Sequence, residues 1–292
     1  MTRLFDCYVA VDWSAANTPR LGKDSIWIAA ISDEGRAPGH VCENIPTRSA
    51  AMARLEQVFA AGLSRGSRIL AGFDFAFGYP AGFAVKLLGT DNWRAVWRRL
   101  CDEITDDDQN RSNRFEVGSR LNEALGSPLF WGKPHQHRGR HAHLPARRPG
   151  GGVIGERRVA ERHVKSAKSV FQLAYNGAVG SQTLLGLPRL EALCHRLDAQ
   201  VRVWPFETDF ADNLPAGPAV TIAEIYPTLF LRGAVSGEVK DAAQVKSVVR
   251  SLMERDRAGS LAPLLAPPPG TTPEERSVML REEGSIVGAG VL

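Results

Sequence analysis

The sequence has few cysteines and no paired cysteine motif. Its four cysteines are scattered without a C-x-x-C pair, at apolar positions of predicted strands or helices, where a thiol usually behaves as a small buried hydrophobe. We therefore expect them to be reduced and structural, with no disulfide or zinc role. They are Cys7, Cys42, Cys101 and Cys194.

Signals for membrane insertion and export are also missing. No window approaches the roughly eighteen consecutive apolar residues that identify a membrane-spanning helix. Residues 1–6 lead straight into a strand-like run that contains an acid, whereas a signal peptide needs a basic start and a longer apolar stretch. These absences predict a cytoplasmic protein.

Two kinds of catalytic motif are absent as well. The sequence contains no G-x-x-x-x-G-K-[ST] motif, and the three glycines at 150–152 lack the strand before and the helix after that a phosphate loop requires. Ser14 has no evident partner base, which disfavours a serine hydrolase. The chemistry must therefore be sought in other residue types.

What is present fits one large domain. The chain has 292 residues, 43% of them hydrophobic and 23% charged, as in an ordinary globular protein. We expect a single domain over residues 1–292, in which residues 105–165 form a basic insertion or lid because they are polar, basic and glycine-rich. Residues 266–292 are expected to be a C-terminal extension.

Positive charge is concentrated within that insertion. The net charge is only +4, yet between residues 127 and 165 only Glu156 and Glu161 oppose the cations. A phosphate-contacting surface and a solvated loop both remain open. The candidate nucleic-acid contacts are Lys133, Arg138, Arg140, Arg147, Arg148, Arg157 and Arg158.

Four histidines occur among these arginines, as His135-x-His137 and His141-x-His143. Such pairs could bind Zn²⁺ or another transition metal. No acid or cysteine lies nearby at ligand spacing, and the interleaved arginines favour a basic, phosphate-facing loop.

Hydrophobic patterning predicts a mixed α/β sheet. Three apolar runs joined by turn-rich connections indicate an antiparallel meander, and a helix followed by another apolar run indicates a parallel crossover. The expected strands cover residues 4–12, 25–32, 40–45, 68–73, 200–206 and 219–225. The expected helices cover 51–63, 91–104, 166–175 and 190–197, one beginning at Asp241 and one beginning near Thr272.

Two aspartates follow buried strands of this sheet. Asp12 ends the first strand and Asp74 the fourth. Each alone is typical of a turn or helix cap, but functional groups gather at the carboxyl ends of parallel strands, and an unpaired buried charge is costly. We therefore expect the pair to bind a cation.

Further acids extend this candidate site. Asp241 begins the last strong helix on its sheet-facing stripe, where it could also be a helix cap. Glu224 ends a later strand, where it could instead pair with an arginine. Glu207 is a weaker candidate of the same type.

Clustered carboxylates favour Mg²⁺ or Mn²⁺ as cofactor. Two such ions about 3.5–4 Å apart would activate a water and stabilise the leaving oxygen of a phosphodiester. This chemistry needs no histidine, cysteine or serine nucleophile.

Four features together resemble a known family. They are Val-Ala-Val-Asp-Trp-Ser at the first strand, Gly-Phe-Asp-Phe-Ala-Phe-Gly-Tyr-Pro after the fourth, Ala-Glu-Ile-Tyr-Pro later, and the helical Asp241. Over about residues 4–255 the chain resembles an uncharacterised bacterial family of predicted nucleases with a ribonuclease H-like fold. The resemblance implies that Asp12, Asp74 and Asp241 bind the metals, with Glu224 as a fourth ligand. Many ribonuclease H enzymes also place a glutamate on the first helix, where Glu56 lies.

The resulting hypothesis is a metal-dependent nuclease or phosphodiesterase that cleaves DNA or RNA with Asp12, Asp74, Glu224 and Asp241 as catalytic and metal-binding residues. Two alternatives remain: a catalytically idle nucleic-acid-binding or interaction module of the same fold, and a nucleotide- or cofactor-handling enzyme. The second comes from the resemblance, because similar sequences carry labels from cobalamin or molybdopterin biosynthesis.

Overall fold

A six-stranded mixed sheet organises the chain. The computed structural model describes residues 3–32, 39–150, 152, 154–231 and 237–292. Strand order is β3-β2-β1-β4-β6-β5, so the predicted α/β sheet with antiparallel and then parallel strands is confirmed. The strands are β1 (Cys7–Asp12), β2 (Ile26–Ser32), β3 (Gly39–Ile45), β4 (Arg68–Phe73), β5 (Val201–Val203) and β6 (Ala219–Glu224).

Register brings the two predicted strand-end aspartates together. β1 pairs antiparallel with β2 and parallel with β4, and Val11 stands opposite Phe73. The next residues, Asp12 and Asp74, therefore leave the sheet side by side at its carboxyl edge. The Asp74 amide continues the ladder by donating to the Val11 carbonyl at 3.2 Å.

Helices cover both faces of the sheet. Alternate β1 residues face opposite sides: Val9 and Val11 belong to one hydrophobic core, and Tyr8 and Ala10 to the other, together with α7. The helices are α1 (Arg48–Ser64), α2 (Phe83–Leu88), α3 (Trp93–Glu103), α4 (Arg114–Leu125), α5 (Val159–Arg162), α6 (Val179–Leu197), α7 (Lys240–Arg257) and α8 (Pro273–Val278).

Three of the predicted elements differ from the structure. Residues 166–175 are not helical; they run beside residue 131, where Trp131 and Gln172 form a parallel bridge. The helix expected over 190–197 is only the second half of α6. The strand expected over 200–206 ends three residues early, before the cis peptide bond between residues 204 and 205.

The segment expected to be an insertion contributes to the core. Its helix α4 buries Phe115 and Leu121, and Phe130 farther along joins the same hydrophobic cluster. The Asn122 side chain holds the following loop: it accepts from the Phe130 amide and donates to the Phe130 carbonyl, both at 2.8 Å. The first half of this segment is therefore part of the domain interior.

The expected C-terminal extension also packs into the fold. A π-helical turn (Met279–Glu283) follows α8, and Ile286 and Val287 are buried in the core shared with α7. The Glu282 and Glu283 carboxylates accept backbone amides of Ala81, Gly82, Ala84 and Val159.

The described cysteines form no disulfide: Cys7 and Cys194 are buried, Cys42 is half-buried and Cys101 is exposed, all as free thiols. Within the described ranges, no helix is both long and apolar enough to cross a membrane.

Asp256 near the end of α7 anchors the start of β1. It is 3% exposed and accepts the amides of Leu4 and Phe5 at 2.9 and 2.8 Å and the Tyr8 hydroxyl at 2.6 Å. We expect Asp256→Ala to lower the free energy of unfolding by about 2 kcal/mol, because it removes the acceptor of the Leu4 and Phe5 amides. Urea denaturation measures this. The Tyr8 hydroxyl keeps the Phe5 carbonyl as an acceptor at 2.9 Å.

The exposed Glu254 on the same helix supplies the control. Glu254→Ala should change stability by less than about 0.5 kcal/mol. Equal effects of the two substitutions would contradict an anchoring role for Asp256.

Candidate functional site

Asp12 and Asp74 meet in a groove at the carboxyl edge of the sheet. Both side chains are partly exposed, and their carboxyl groups are hydrogen-bonded to each other. The Trp13 amide also donates to Asp74 Oδ1 at 2.6 Å. The geometry thus agrees with the sequence-based prediction that these two residues meet.

The surroundings of this pair oppose its ionisation. Burial, then the charges of Asp74 and Asp241, raise the pKa of Asp12 well above its usual value. Burial raises the pKa of Asp74 to about 7, although hydrogen bonds from Trp13 and with Asp12 act in the opposite direction. Two adjacent carboxyl groups that cannot both ionise readily will share a proton unless a cation neutralises them.

Asp241 lines the same cavity as Asp12. It is in the first turn of α7, but the N-cap residue is Val239 and no side chain caps the helix, so the cap role is wrong for Asp241. Instead Asp241 Oδ2 accepts the Asp24 amide at 2.7 Å. This contact ties α7 to the loop that connects β1 and β2.

Two adjoining cavities form the groove. One of about 640 Å³ contains Asp12 and Asp241 in its wall, and the other, of about 260 Å³, contains Asp74 and Glu224. Asn176, Gly177 and Gln182 line both. The groove therefore offers space for a substrate directly over the aspartate pair.

The donor set fits one divalent cation better than the predicted pair of cations. Among the described residues, no three side chains of His, Cys, Asp or Glu lie close enough together to hold a metal ion. Asp12 and Asp74 nevertheless match the one or two carboxylates through which proteins usually hold Mg²⁺, with water and substrate phosphate completing the shell. A cation there would take the place of the shared proton.

Glu224 is occupied by an arginine. Glu224 stands opposite Phe73 in the pairing of β6 with β4, one position before the level of Asp74. Because successive strand residues point to opposite faces of the sheet, the Glu224 side chain leaves the sheet on the face opposite to that of Asp74. Arg158 contacts both of its carboxylate oxygens, at 2.7 and 2.5 Å. The Phe77 amide donates to it at 3.0 Å. The structure thus supports the alternative role of Glu224, pairing with an arginine, over metal ligation.

Arg158 is likewise removed from the predicted nucleic-acid surface. It is 1% exposed and also donates to Glu161 Oε1 and to the Glu283 carbonyl, both at 2.9 Å. The Arg158 guanidinium already donates hydrogen bonds to groups inside the protein. This position disfavours the expectation that Arg158 contacts a nucleic-acid backbone.

The other six predicted nucleic-acid contacts lie outside the groove. Arg138, Arg140, Arg147, Arg148 and Arg157 are exposed. Lys133 is half-buried, and its ammonium donates to the carbonyls of Arg140 and His141 at 3.1 and 3.3 Å. None of the six lines either cavity of the groove.

The predicted histidine pairs do not bring four ligands together in the described structure. His137 Nδ1 faces His141 Nε2 at 2.9 Å beside a separate surface cavity of about 700 Å³. Burial, then nearby positive charge, lowers the pKa of His137.

Two other acids considered from the sequence lie away from the site. Glu56 on α1 is partly exposed and pairs with Arg196. Glu207 pairs with Arg94 at 3.1 Å and accepts the Val203 amide at 2.8 Å.

Several groove residues escaped sequence reasoning because loops supply them. Asp24 precedes β2 with a positive φ of 57°. Gln182 of α6 donates to the Trp13 carbonyl at 2.5 Å. Arg20, Lys23 and Tyr175 also line the larger cavity, and Lys168 lines the smaller one.

Comparison of the chain with protein-family models, curated proteins and solved structures finds no match.

Proposed function

We propose that the chain is a metal-dependent phosphodiesterase that cleaves nucleic acid. The observation that carries this proposal is the hydrogen-bonded pair of Asp12 and Asp74 at the base of an open groove, where the pKa values of both carboxyl groups are raised. Burying two acids side by side costs free energy, and a cation bound between them would offset that cost.

The cation fits the pair by charge and by ligand type. Oxygen donors from one or two carboxylates suit Mg²⁺ and Mn²⁺. When bound, it would supply Lewis-acid polarisation of a phosphoryl oxygen and a more acidic water.

The chain's own groups orient the ligands and the substrate. The Trp13 amide donates to Asp74 Oδ1 and so fixes the orientation of this carboxyl group. The Asp24 amide fixes Asp241, whose negative charge favours a cation nearby. The side chains of Arg20 and Lys23 line the same cavity and can contact substrate phosphates as positive charges.

The test is cleavage of fluorescent DNA and RNA oligonucleotides by the purified chain in Mg²⁺, in Mn²⁺ and in EDTA. We expect cleavage only with metal, and Asp12→Asn should reduce its rate at least about a hundredfold, because a ligand and a negative charge are lost together. Glu56→Gln is the matched control, since it removes a surface acid outside the groove.

Two results would overturn the proposal. Cleavage that survives EDTA but not Asp12→Asn would assign acid–base chemistry without metal. If the wild-type chain cleaves none of these oligonucleotides with either metal, the proposed phosphodiesterase activity is overturned.

A further inference from the structure

Tyr175 is an unusually exposed aromatic residue at the groove. It lines the same cavity as Asp12 and Asp241, and the residue is 61% exposed. It is the one tryptophan, tyrosine or phenylalanine in the described ranges that is exposed rather than buried or half-buried. A large ring that faces solvent in the wall of this cavity is available to contact a bound ligand.

The backbone holds the Tyr175 ring in place. Tyr175 has a φ of +72°, a left-handed conformation that costs free energy for any residue with a side chain and least for Asn or Asp. The Gln172 side-chain amide clamps this turn by donating to the carbonyls of Ala174 and Asn176, both at 3.0 Å. The Tyr175 hydroxyl donates to the Lys133 carbonyl at 3.3 Å.

Two cations line the same cavity as the ring, together with the acids Asp12, Asp24 and Asp241. Arg20 and Lys23 are exposed in the cavity that Tyr175 lines. Lys168 packs its aliphatic stem against Gly177, where an added Cβ would lie 2.7 Å from Lys168 Cγ. An exposed aromatic ring with cations in the same groove is a combination that binds single-stranded nucleic acid, in which bases stack on the ring while phosphates contact the cations.

We propose that Tyr175 is a stacking platform for an unpaired nucleobase, so that the groove takes single-stranded DNA or RNA. This inference rests on the proposed function for the reaction at Asp12 and Asp74, and it adds the substrate class. The bases of a duplex are stacked on one another, so a strand must be unpaired for one of its bases to cover the ring. The cavity of about 640 Å³ is within the size range of sites for small organic ligands.

The experiment measures binding separately from cleavage. Fluorescence anisotropy in EDTA compares a labelled twelve-nucleotide single strand with the matching duplex at one fixed salt concentration. Tyr175→Asn removes the ring but keeps a residue that tolerates the left-handed backbone. Tyr175→Phe keeps the ring and removes the hydroxyl.

We expect the wild-type chain to bind the single strand more tightly than the duplex. Tyr175→Asn should weaken single-strand binding about tenfold, and Tyr175→Phe should bind within about twofold of wild type. Val85→Asn, which changes an exposed apolar residue of α2 outside the groove, is the control and should bind like wild type. Thermal melts establish that each variant is folded.

Either of two results overturns the inference: Tyr175→Asn binding the single strand as tightly as wild type, or the duplex binding as tightly as the single strand. The fate of the proposed function is separate. If Tyr175→Asn weakens binding but no metal-dependent cleavage is found, the stacking inference stands and the proposed phosphodiesterase activity is overturned. If cleavage depends on Asp12 but Tyr175→Asn has no effect on binding, the phosphodiesterase proposal stands and the stacking inference is overturned.

Discussion

Replacing Arg158 with alanine is expected to lower the free energy of unfolding by about 3–5 kcal/mol, the largest stability change we expect from a single substitution in this chain. The guanidinium bridges Glu224 and Glu161 and reaches the Glu283 carbonyl, all with side chains almost inaccessible to solvent. Burial lowers the pKa of Arg158, but the two carboxylates outweigh that effect and raise it overall.

The loss follows from the charges that would remain. Burial already raises the pKa of Glu224, and the Arg158 charge acts against that rise. Without the guanidinium, the Glu224 carboxylate must be protonated or stay buried and unpaired, and both cost free energy. Since protonation is easier in acid, the destabilisation should be smaller at pH 5 than at pH 8.

Chemical denaturation at both pH values measures this effect. Arg157→Ala is the control, because Arg157 precedes Arg158 in the chain but is exposed; its effect should stay within about 0.5 kcal/mol. The double variant Arg158→Ala with Glu224→Gln should recover part of the lost stability, because it removes the unpaired charge. Equal stability of the Arg158→Ala and Arg157→Ala variants would show that the buried network contributes little.

Asp74→Asn is expected to make the metal-free chain more stable at pH 8 by about 3 kcal/mol. Burial raises the pKa of Asp74 from 3.8 to about 7, which corresponds to roughly 4 kcal/mol before allowance for partial exposure to water. The asparagine side chain can still accept the Trp13 amide through its oxygen and donate to Asp12 through its nitrogen, so the local hydrogen bonds are kept.

The direction with pH follows from linkage. Below pH 3.8 the Asp74 carboxyl is protonated in both the folded and the unfolded chain, so its ionisation costs the fold nothing. As the pH rises from 3.8 through about 7, the unfolded chain ionises first, and the wild-type fold loses stability. The melting temperature of Asp74→Asn should therefore exceed that of wild type by a margin that widens from pH 5 to pH 8.

Melts in EDTA and in Mg²⁺ complete the measurement. Mg²⁺ should raise the wild-type melting temperature more at pH 8 than at pH 5, because the ion must displace the shared proton. It should raise that of Asp74→Asn little, whereas Glu56→Gln should respond like wild type. A difference in melting temperature between wild type and Asp74→Asn that stays the same from pH 5 to pH 8 would refute the raised pKa of Asp74.

The sequence was sufficient to predict the sheet and the Asp12–Asp74 pair. Apolar runs and connection lengths predicted the antiparallel meander and the parallel crossover, and the two aspartates lie at the ends of the two strands that this crossover makes neighbours. The face of the sheet on which the Glu224 side chain lies depends instead on the register of β4 and β6, which places Glu224 opposite Phe73 rather than level with Asp74. Its partner, Arg158, lies 66 residues earlier, in a segment whose composition suggested an exposed loop.

Loop residues and short helices were the least predictable part of the structure. Helix α4 lies within a stretch of mixed charge, and only its burial of Phe115, Leu121 and Leu125 distinguishes it. Tyr175 reaches the groove because residues 171–173 run beside Trp131, with the Leu173 amide donating to the Trp131 carbonyl at 2.8 Å. No local pattern specifies that pairing, since it joins segments that are distant in sequence.

The docking of residues 279–287 has a consequence for the order of folding. The Glu283 carbonyl and carboxylate contact Arg158 and Val159 across 125 and 124 residues of chain, and the Val287 amide donates to the Glu224 carbonyl at 3.0 Å. During synthesis all six strands are made before this segment, so the contacts of Glu283 with Arg158 and Val159 can form only after them. Contacts at such long range make folding slow, and the network around Arg158 is complete only once residues 279–287 have docked.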